Sequence, residues 1–479
     1  MIDSTNQLTK IVSIKCLTEV EKMNSLYQKK ENEKCIFFSI SKSEIKFVLS
    51  EDDKLYVIKW LQIRTSKELK HRLQHLLSGC NLKVVHDFKE VLKILRKKKM
   101  NITGPVFDVM IASQLLHSEK TSGHQLNEIY NAYSHSDCSD DIPDIIKLKK
   151  IYRHIASLLE KEGLDYVFRL EMDCVYPVAD MEINGFAFNK NAAYYIDDAI
   201  VKGYLKHVNS NTDRIYPVYA QLGTVTGRIT CSKPNLQGVS RKDSVRSLFT
   251  APPEKRLIIA DYNQIELRII AEISGDSKMI EAFQLGEDIH RYTASLFLNK
   301  PVEKVTSDER TTIKAINFGI VYGMGAKSLA EYVNKKYGLS LTIGEAKEFK
   351  EQFYKNFSGI LKWIKGIYQR DRSMIYTSSG RKRILDKDKI YTQTINSPIQ
   401  CTSADILKEA LCLIYREIHD SDTLIVTSIH DEIILETPID QAEIIKEKLI
   451  RAMVAGGERY LKKVPVIVLA TIAETWAEK

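Results

Sequence analysis

RLIIADYNQIELRIIA, Arg256–Ala271, is the stretch on which the reading of this chain turns. Four apolar residues, Leu257 to Ala260, run into an acid at Asp261. From Gln264 onward Ile265 and Ile269 take up helical spacing. The pattern predicts a strand, a turn and a helix, with a carboxylate at the strand's end. Such a carboxylate is held by a rigid element yet open to ligand, the setting in which one or two acids grip a hard cation such as Mg²⁺. An ordinary exposed aspartate fits the same pattern, so the neighbouring segments must decide.

Downstream, TLIVTSIHDEIILETP (Thr423–Pro438) is an apolar strand, a polar break at His430, Asp431 and Glu432, and a second apolar strand. This predicts a hairpin with acids at its tip, able to face Asp261 across a sheet as a two-metal site requires. Between the two acid segments, DERTTIKAINFGIVYGMG (Asp308–Gly325) puts Arg310, Lys314, Phe318 and Tyr322 four residues apart. On a helix these share one face, and two cations so placed repel unless an anion joins them. A triphosphate suits the cations and a base the rings; a helix whose aromatics face a core is the alternative. Gly319, Gly323 and Gly325 are expected to end or loosen that helix. Ahead of Asp261, Arg214–Thr250 is turn-rich and carries Arg228, Lys233, Arg241, Lys242 and Arg246, suited to a phosphate backbone or to a solvated surface.

At 479 residues the chain is expected to form two or three domains. Its charge of +8 favours a polyanionic partner without proving one. The eight cysteines show no CxxC pair and read as reduced thiols. No signal peptide or membrane-spanning run is evident, so a cytoplasmic protein is expected.

The first half alternates strand and helix. CIFFSI, IKFVL and KLYVIKW (Cys35–Trp60) read as neighbouring strands, and LKVVHDF (Leu82–Phe88) as another. A basic helix begins at Val91, and VFDVMIASQLL (Val106–Leu116) has helical spacing. The acidic cluster Asp137–Asp144 reads as a loop. Helix is expected from Ile145 to a stop at Asn184 and Gly185, with a domain boundary near Gly163.

Together these blocks resemble the family A DNA polymerases. DYNQIELR from Asp261 is similar to the first palm motif, with Asn263 where Ser is common. RTTIKAINFGIVYG from Arg310 is similar to the fingers-helix motif, and HDE from His430 to the second palm motif. TGRITCSKPNLQG from Thr226, DIHRYTA from Asp288 and INSPIQCTSADI from Ile395 match in the same order. The resemblance covers the second half strongly and the first weakly. It implies an α/β and α+β multidomain chain: an exonuclease-type, ribonuclease H-like α/β domain (1–163), a reduced thumb (164–213), and palm and fingers (214–479, fingers about 275–390).

The resemblance further implies that Asp261 and Asp431, with the Tyr262 carbonyl, hold two Mg²⁺ ions, for which Mn²⁺ could substitute, with Glu432 beside them. Arg310, Lys314 and His290 would grip the triphosphate, Lys314 being the candidate proton donor to pyrophosphate. Phe318 would pack on the sugar, Tyr322 near the templating base, and Gln264 near the nucleotide. Glu266 would be the steric gate against a 2′-hydroxyl. Arg228, Asn396, Gln400 and His430, with Arg241 and Arg246, would touch the DNA. The implied partners are primer-template DNA and deoxynucleoside triphosphates. No membrane is implied, a monomer is expected, and a processivity partner is left open.

Two departures accompany the resemblance. Ser39 and Ser41 stand where the proofreading site's acids are expected, VVHDFKEV is expected to supply no later acid, and no Tyr-x-x-x-Asp element is expected before the thumb. An inactive exonuclease-like domain is therefore expected. Only Lys190–Asp213 stands where a long thumb is inserted, so low processivity and salt-sensitive binding are expected. No 5′-nuclease domain is expected ahead of Met1. The rival readings are a single-subunit RNA polymerase, disfavoured by Glu266 and Phe318, and a catalytically dead nucleic-acid-binding protein, disfavoured by the intact Asp261, Asp431, Arg310 and Lys314.

Overall fold

The computed structural model describes residues 10–13, 35–50, 54–134, 142–369 and 372–479. They form two compact units that divide between Ile183 and Asn184. Most of the acidic cluster Asp137–Asp144 lies outside the described residues.

The first unit is a six-stranded mixed sheet of β1 (Lys10–Ser13), β2 (Cys35–Ile40), β3 (Glu44–Leu49), β4 (Lys54–Lys59), β5 (Leu82–Val85) and β6 (Val106–Asp108), in the order β1-β4-β3-β2-β5-β6. The expected strands β2 to β5 are present. VFDVMIASQLL is only partly a helix: its first three residues form β6, parallel to β5, before α2 (Val109–Leu116), and α1 (Phe88–Lys97) precedes both. A short apolar run buried on both faces of a parallel sheet cannot be told from a helix start by periodicity.

The long helices α3 (Asp144–Lys161) and α4 (Asp165–Asn184) follow. The chain divides beyond Gly163 because α4 packs on this sheet. Phe168 meets Phe107 at 4.7 Å between ring centroids, Tyr176 meets Phe88 at 5.5 Å, and Glu182 pairs with Lys89 at 2.6 Å and Lys93 at 2.5 Å.

The second unit starts with a tight turn. Gly185 has φ +60°, and a Cβ there would lie 2.6 Å from the Ile215 carbonyl oxygen, so only glycine fits. A small sheet follows, joining Phe186–Ala187, Arg214–Ile215 and Val208–Asn209. Between its strands the chain forms only the short helices Lys190–Ala193 and Ala199–Leu205.

The centre of this unit is a four-stranded antiparallel sheet. Its strands are β7 (Lys255–Tyr262), β8 (Leu424–Ile429), β9 (Glu432–Pro438) and β10 (Val468–Ala473), in the order β8-β9-β7-β10. Helix α5 (Ile265–Ser274) leaves the end of β7, and α6 (Ile289–Leu298), α7 (Ser307–Val321) and further helices follow. The long α8 (Ile390–Ile418) and α9 (Ala442–Glu458) pack closely: a Cβ on Gly456 would lie 2.9 Å from the Ala410 amide nitrogen.

An ion pair is sealed into this unit. Asp405, wholly buried on α8, accepts from Arg381 Nε at 2.9 Å and from Ser379 Oγ at 2.6 Å. Removing one partner leaves a buried charge uncompensated. Asp405→Ala is therefore expected to lower the unfolding free energy by about 3–5 kcal/mol in a urea titration; a loss below about 1 kcal/mol would show the pair to be dispensable.

Candidate active site

Antiparallel pairing of β7 with β9 puts Asp261 directly opposite Glu432. Asp431 occupies the two-residue turn before β9, beside His430, whose φ of +58° closes the turn. The Asp431 carbonyl accepts from the Tyr262 amide at 3.3 Å, tying the two acid segments together. Tyr262 is itself locked by its hydroxyl, which donates to the Met453 carbonyl at 2.6 Å. Arg268 pins the next residue, donating from Nε to the Asn263 carbonyl at 2.7 Å.

The acid pair is electrostatically strained. Burial, and then the charge of Asp261, push the Asp431 carboxyl from 3.8 up to about 7. Asp261 Oδ1 is buried without a hydrogen-bond partner, while Oδ2 accepts from Lys479 Nζ at 2.7 Å. Glu432 accepts from Trp476 Nε1 at 2.9 Å and from Lys479. Two repelling carboxylates with an orphaned oxygen fit a hard divalent cation. Among the described residues no group of three or more His, Cys, Asp or Glu gathers as a metal cage. Mg²⁺ is commonly held by one or two acids plus substrate phosphates, so a two-acid site remains within its chemistry.

Helix α7 carries the predicted face. It starts at a capping box between Thr306 and Glu309, and past its end Gly323 has φ +74°. Arg310 binds Asp288 Oδ2 through Nε at 2.9 Å and through a terminal nitrogen at 2.7 Å. Asp288 also caps α6, accepting from the amides of His290 and Arg291 at 2.9 and 3.0 Å. Burial raises the Asp288 carboxyl, but the Arg310 and amide hydrogen bonds outweigh it and hold it below the usual range. Burial lowers the Lys314 ammonium, reinforced by the charges of Arg310 and Arg241.

His290 differs from a cationic grip. It is 1% exposed, burial pulls it down to about 4, and it lies against Asn317 Nδ2 at 3.2 Å. It is a neutral imidazole at physiological pH. The rings of His290 and Phe318 are 5.7 Å apart, and those of Phe318 and Tyr322 6.1 Å.

One contact joins this helix to the acid segment: the Tyr322 hydroxyl donates to Glu266, on the first turn of α5. Arg228 donates to the other Glu266 oxygen. Gln264 is the N-cap of α5, held in the left-handed region at φ +55°, so the helix begins one residue later than its spacing suggests. Asn396 and Gln400 lie four apart on α8, with Asn396 Oδ1 buried and unpartnered. Arg241 is exposed, whereas Arg246 turns inward and stacks on Trp476 at 4.5 Å. Burial, and then the charges of Arg228 and Arg241, lower His430.

Asp288, Trp476 and Lys479 were not singled out by the sequence. Asp288 had a signal, since an acid followed by an apolar-periodic run is a helix cap. The other two had none.

The first unit holds a different arrangement. A cavity of about 300 Å³ is lined by Ser39, His86, Asn127 and Asp144 among others. VVHDFKEV does contain an acid, Asp87, contrary to expectation, but its side chain caps α1, accepting from the Glu90 amide at 3.3 Å. Asp108 is buried and accepts from the amides of Asp87, Phe88 and Met110 at 3.1, 2.7 and 2.8 Å. Tyr133 and Asp137 do stand at Tyr-x-x-x-Asp spacing, a second correction, although Asp137 lies outside the described residues.

Comparison with known proteins places these observations. The family model for DNA polymerase family A matches residues 187–478. The DNA polymerase I of Aquifex aeolicus is 39% identical over 271 residues, 55% of this chain and 46% of that protein. That of Caldicellulosiruptor bescii is 25% identical over 509 aligned positions, 85% of this chain and 59% of that protein. The chain thus spans about half the length of these curated relatives. Among solved structures, the POL domain of Pol1 from M. smegmatis, in complex with DNA primer-template and dNTP, aligns with a TM-score of 0.86 at 21% identity, covering 98% of this chain and 99% of that one. That likeness gives the chain the palm, fingers and thumb fold. No helix among the described residues is long and apolar enough to cross a membrane.

Proposed function

Because the chain belongs to DNA polymerase family A, we propose that it is a template-directed DNA polymerase that adds deoxynucleotides to a primer 3′-hydroxyl. The observation that carries this is the Tyr322–Glu266 hydrogen bond, which brings the cation-bearing helix α7 to the segment bearing Asp261. Residues suited to a triphosphate and residues suited to metal ions then serve one site.

In this reading Asp261 and Asp431, with the Tyr262 carbonyl, would hold two Mg²⁺ ions. When bound, such ions supply positive charge that eases ionisation of the attacking hydroxyl and steadies the leaving pyrophosphate. Arg310 and Lys314 bind the triphosphate, Arg310 in fork geometry after release from Asp288. Lys314, its ammonium made more acidic by burial, gives a proton to the departing pyrophosphate. His290 contributes a neutral N–H rather than a charge. Phe318 packs on the sugar, Tyr322 lies by the templating base, and Gln264 adjoins the nucleotide. Arg228, Asn396, Gln400 and His430 read the minor groove of primer and template, and the exposed Arg241 touches the DNA, while Arg246, stacked on Trp476, contributes its charge from behind. DNA and deoxynucleoside triphosphates are the partners.

The first unit reads as a proofreading domain without its chemistry. Ser41 Oγ accepts from the amides of Ser43 and Glu44 in the β2–β3 turn, and Asp87 and Asp108 are committed to backbone amides. With both acids so engaged, neither is offered as a ready metal ligand. The two short helices of 190–213 read as a reduced thumb, with fewer phosphate contacts and short products per binding event.

Primer extension tests the proposal, with deoxy- and ribonucleotides on DNA and RNA templates beside an Asp261→Ala control. Deoxynucleotide extension on DNA, lost in the control, is expected; extension that survives Asp261→Ala overturns the mechanism. In the same assay, shortening of the primer without nucleotides would refute an inactive first unit, and long products under a heparin trap would refute low processivity.

A further inference from the structure

A lysine more than two hundred positions along the chain from Asp261 reaches the acid segment. Lys479 Nζ donates to Asp261 Oδ2 at 2.7 Å and also to Glu432, whose other oxygen accepts from Trp476 Nε1 at 2.9 Å. Glu432 is buried, while the Lys479 side chain is 33% exposed. The chain leading to the lysine is fixed. Trp476 is buried beneath Arg246, its amide donates to the Phe249 carbonyl at 2.9 Å, and Thr475 and Glu478 close a capping box. The lysine side chain itself is held by the two carboxylates and is partly open to solvent. An ammonium is a compact, strongly charged donor, the side-chain group nearest to a small hard cation among carboxylates.

We propose that Lys479 is the resting counter-ion of the acid pair, neutralising Asp261 until a divalent ion displaces it. The proposal rests on the reading of Asp261 and Asp431 as metal acids. An ammonium on Oδ2 and a divalent cation drawn to the orphaned Oδ1 of one carboxylate repel, so each weakens the other's hold by the same factor. Glu432 gives the displaced ammonium a second anchor, so it retreats a short way and returns when the ion leaves. This accounts for an acid in the palm motif that points to Trp476 and Lys479. Lys479 thereby sets the concentration of divalent ion at which the site fills, as a positioning residue.

The test is Mn²⁺ binding to the whole DNA-free protein, read as the loss of the free-ion electron paramagnetic resonance signal at fixed pH and ionic strength. Wild type, Lys479→Gln, Lys479→Arg, Asp261→Asn and the Lys479→Gln/Asp261→Asn double variant are compared. The ion that depends on Asp261 is expected to bind about tenfold more tightly in Lys479→Gln. Lys479→Arg should stay near wild type, and the double variant should lose the gain. In chelator Lys479→Gln should melt below wild type, and with saturating Mn²⁺ the two should coincide. A lysine that only braces the fold would lower both melting points and leave affinity unchanged, which overturns the proposal. Asp261-dependent binding with equal affinity in wild type and Lys479→Gln also overturns it while sparing the metal reading. Absence of Asp261-dependent binding in both overturns the metal reading and the proposal with it.

Discussion

Asp431→Asn is expected to lower primer extension on the order of a thousandfold while making the metal-free protein more stable at pH 8. Both effects follow from one arrangement. Burial, and then the nearby charge of Asp261, push the Asp431 carboxyl from 3.8 up to about 7. Between about pH 4 and 7 the folded chain therefore keeps a proton that the unfolded chain has released. Stability of the metal-free protein falls as pH rises through that window, and the full penalty is present above it. A neutral asparagine of the same shape removes the penalty and, with it, the negative charge that would hold an ion. The gain should be about 1–2 kcal/mol at pH 8, discounted for the solvent that reaches the pair, and should vanish near pH 4. Melting in chelator across that range measures it. A variant less stable than wild type at pH 8 would show that Asp431 is not strained.

That strain was partly legible in the sequence. The apolar run into Asp261 and the His430-Asp431-Glu432 break between two apolar runs each predict local structure, since strand period and turn chemistry are short-range signals. Their pairing is not short-range. The register that sets Asp261 opposite Glu432 is fixed by the packed sheet. The helix face of Arg310, Lys314, Phe318 and Tyr322 was legible because side chains four apart must share a side. Its partners were not: Asp288 holding Arg310 and Glu266 meeting Tyr322 are tertiary contacts. His290 shows the same limit, for residue type suggests a cation and only burial shows a neutral ring. In the first unit, β6 is hidden inside a helical pattern, and the Asp87 of the quoted segment shows its role as a helix cap only in the fold. Lys479 follows β10, which pairs with β7 only in the folded sheet, so no local pattern could point to it.

Glu266→Ala is expected to reduce discrimination against ribonucleotides by about ten- to a hundredfold. The Glu266 carboxylate is fixed on two sides, by the Tyr322 hydroxyl and by Arg228, and its side chain is only 13% exposed. With each oxygen already held by a donor, the side chain is fixed in place and fills the space beside it. A 2′-hydroxyl brought against this fixed side chain must give up water where there is no room for it, a penalty of about 1–3 kcal/mol. Alanine opens that space to the hydroxyl and to water, so the penalty goes. Deoxynucleotide use should fall as well, because Tyr322 and Arg228 lose the acid that positions them. Glu266→Gln preserves the volume but not the charge, and should keep most of the discrimination. The measurement is kcat/KM for matched ribo- and deoxynucleotides in all three proteins. An unchanged ratio in Glu266→Ala would remove Glu266 from the sugar site, and a glutamine variant as permissive as alanine would assign the selection to charge rather than to volume.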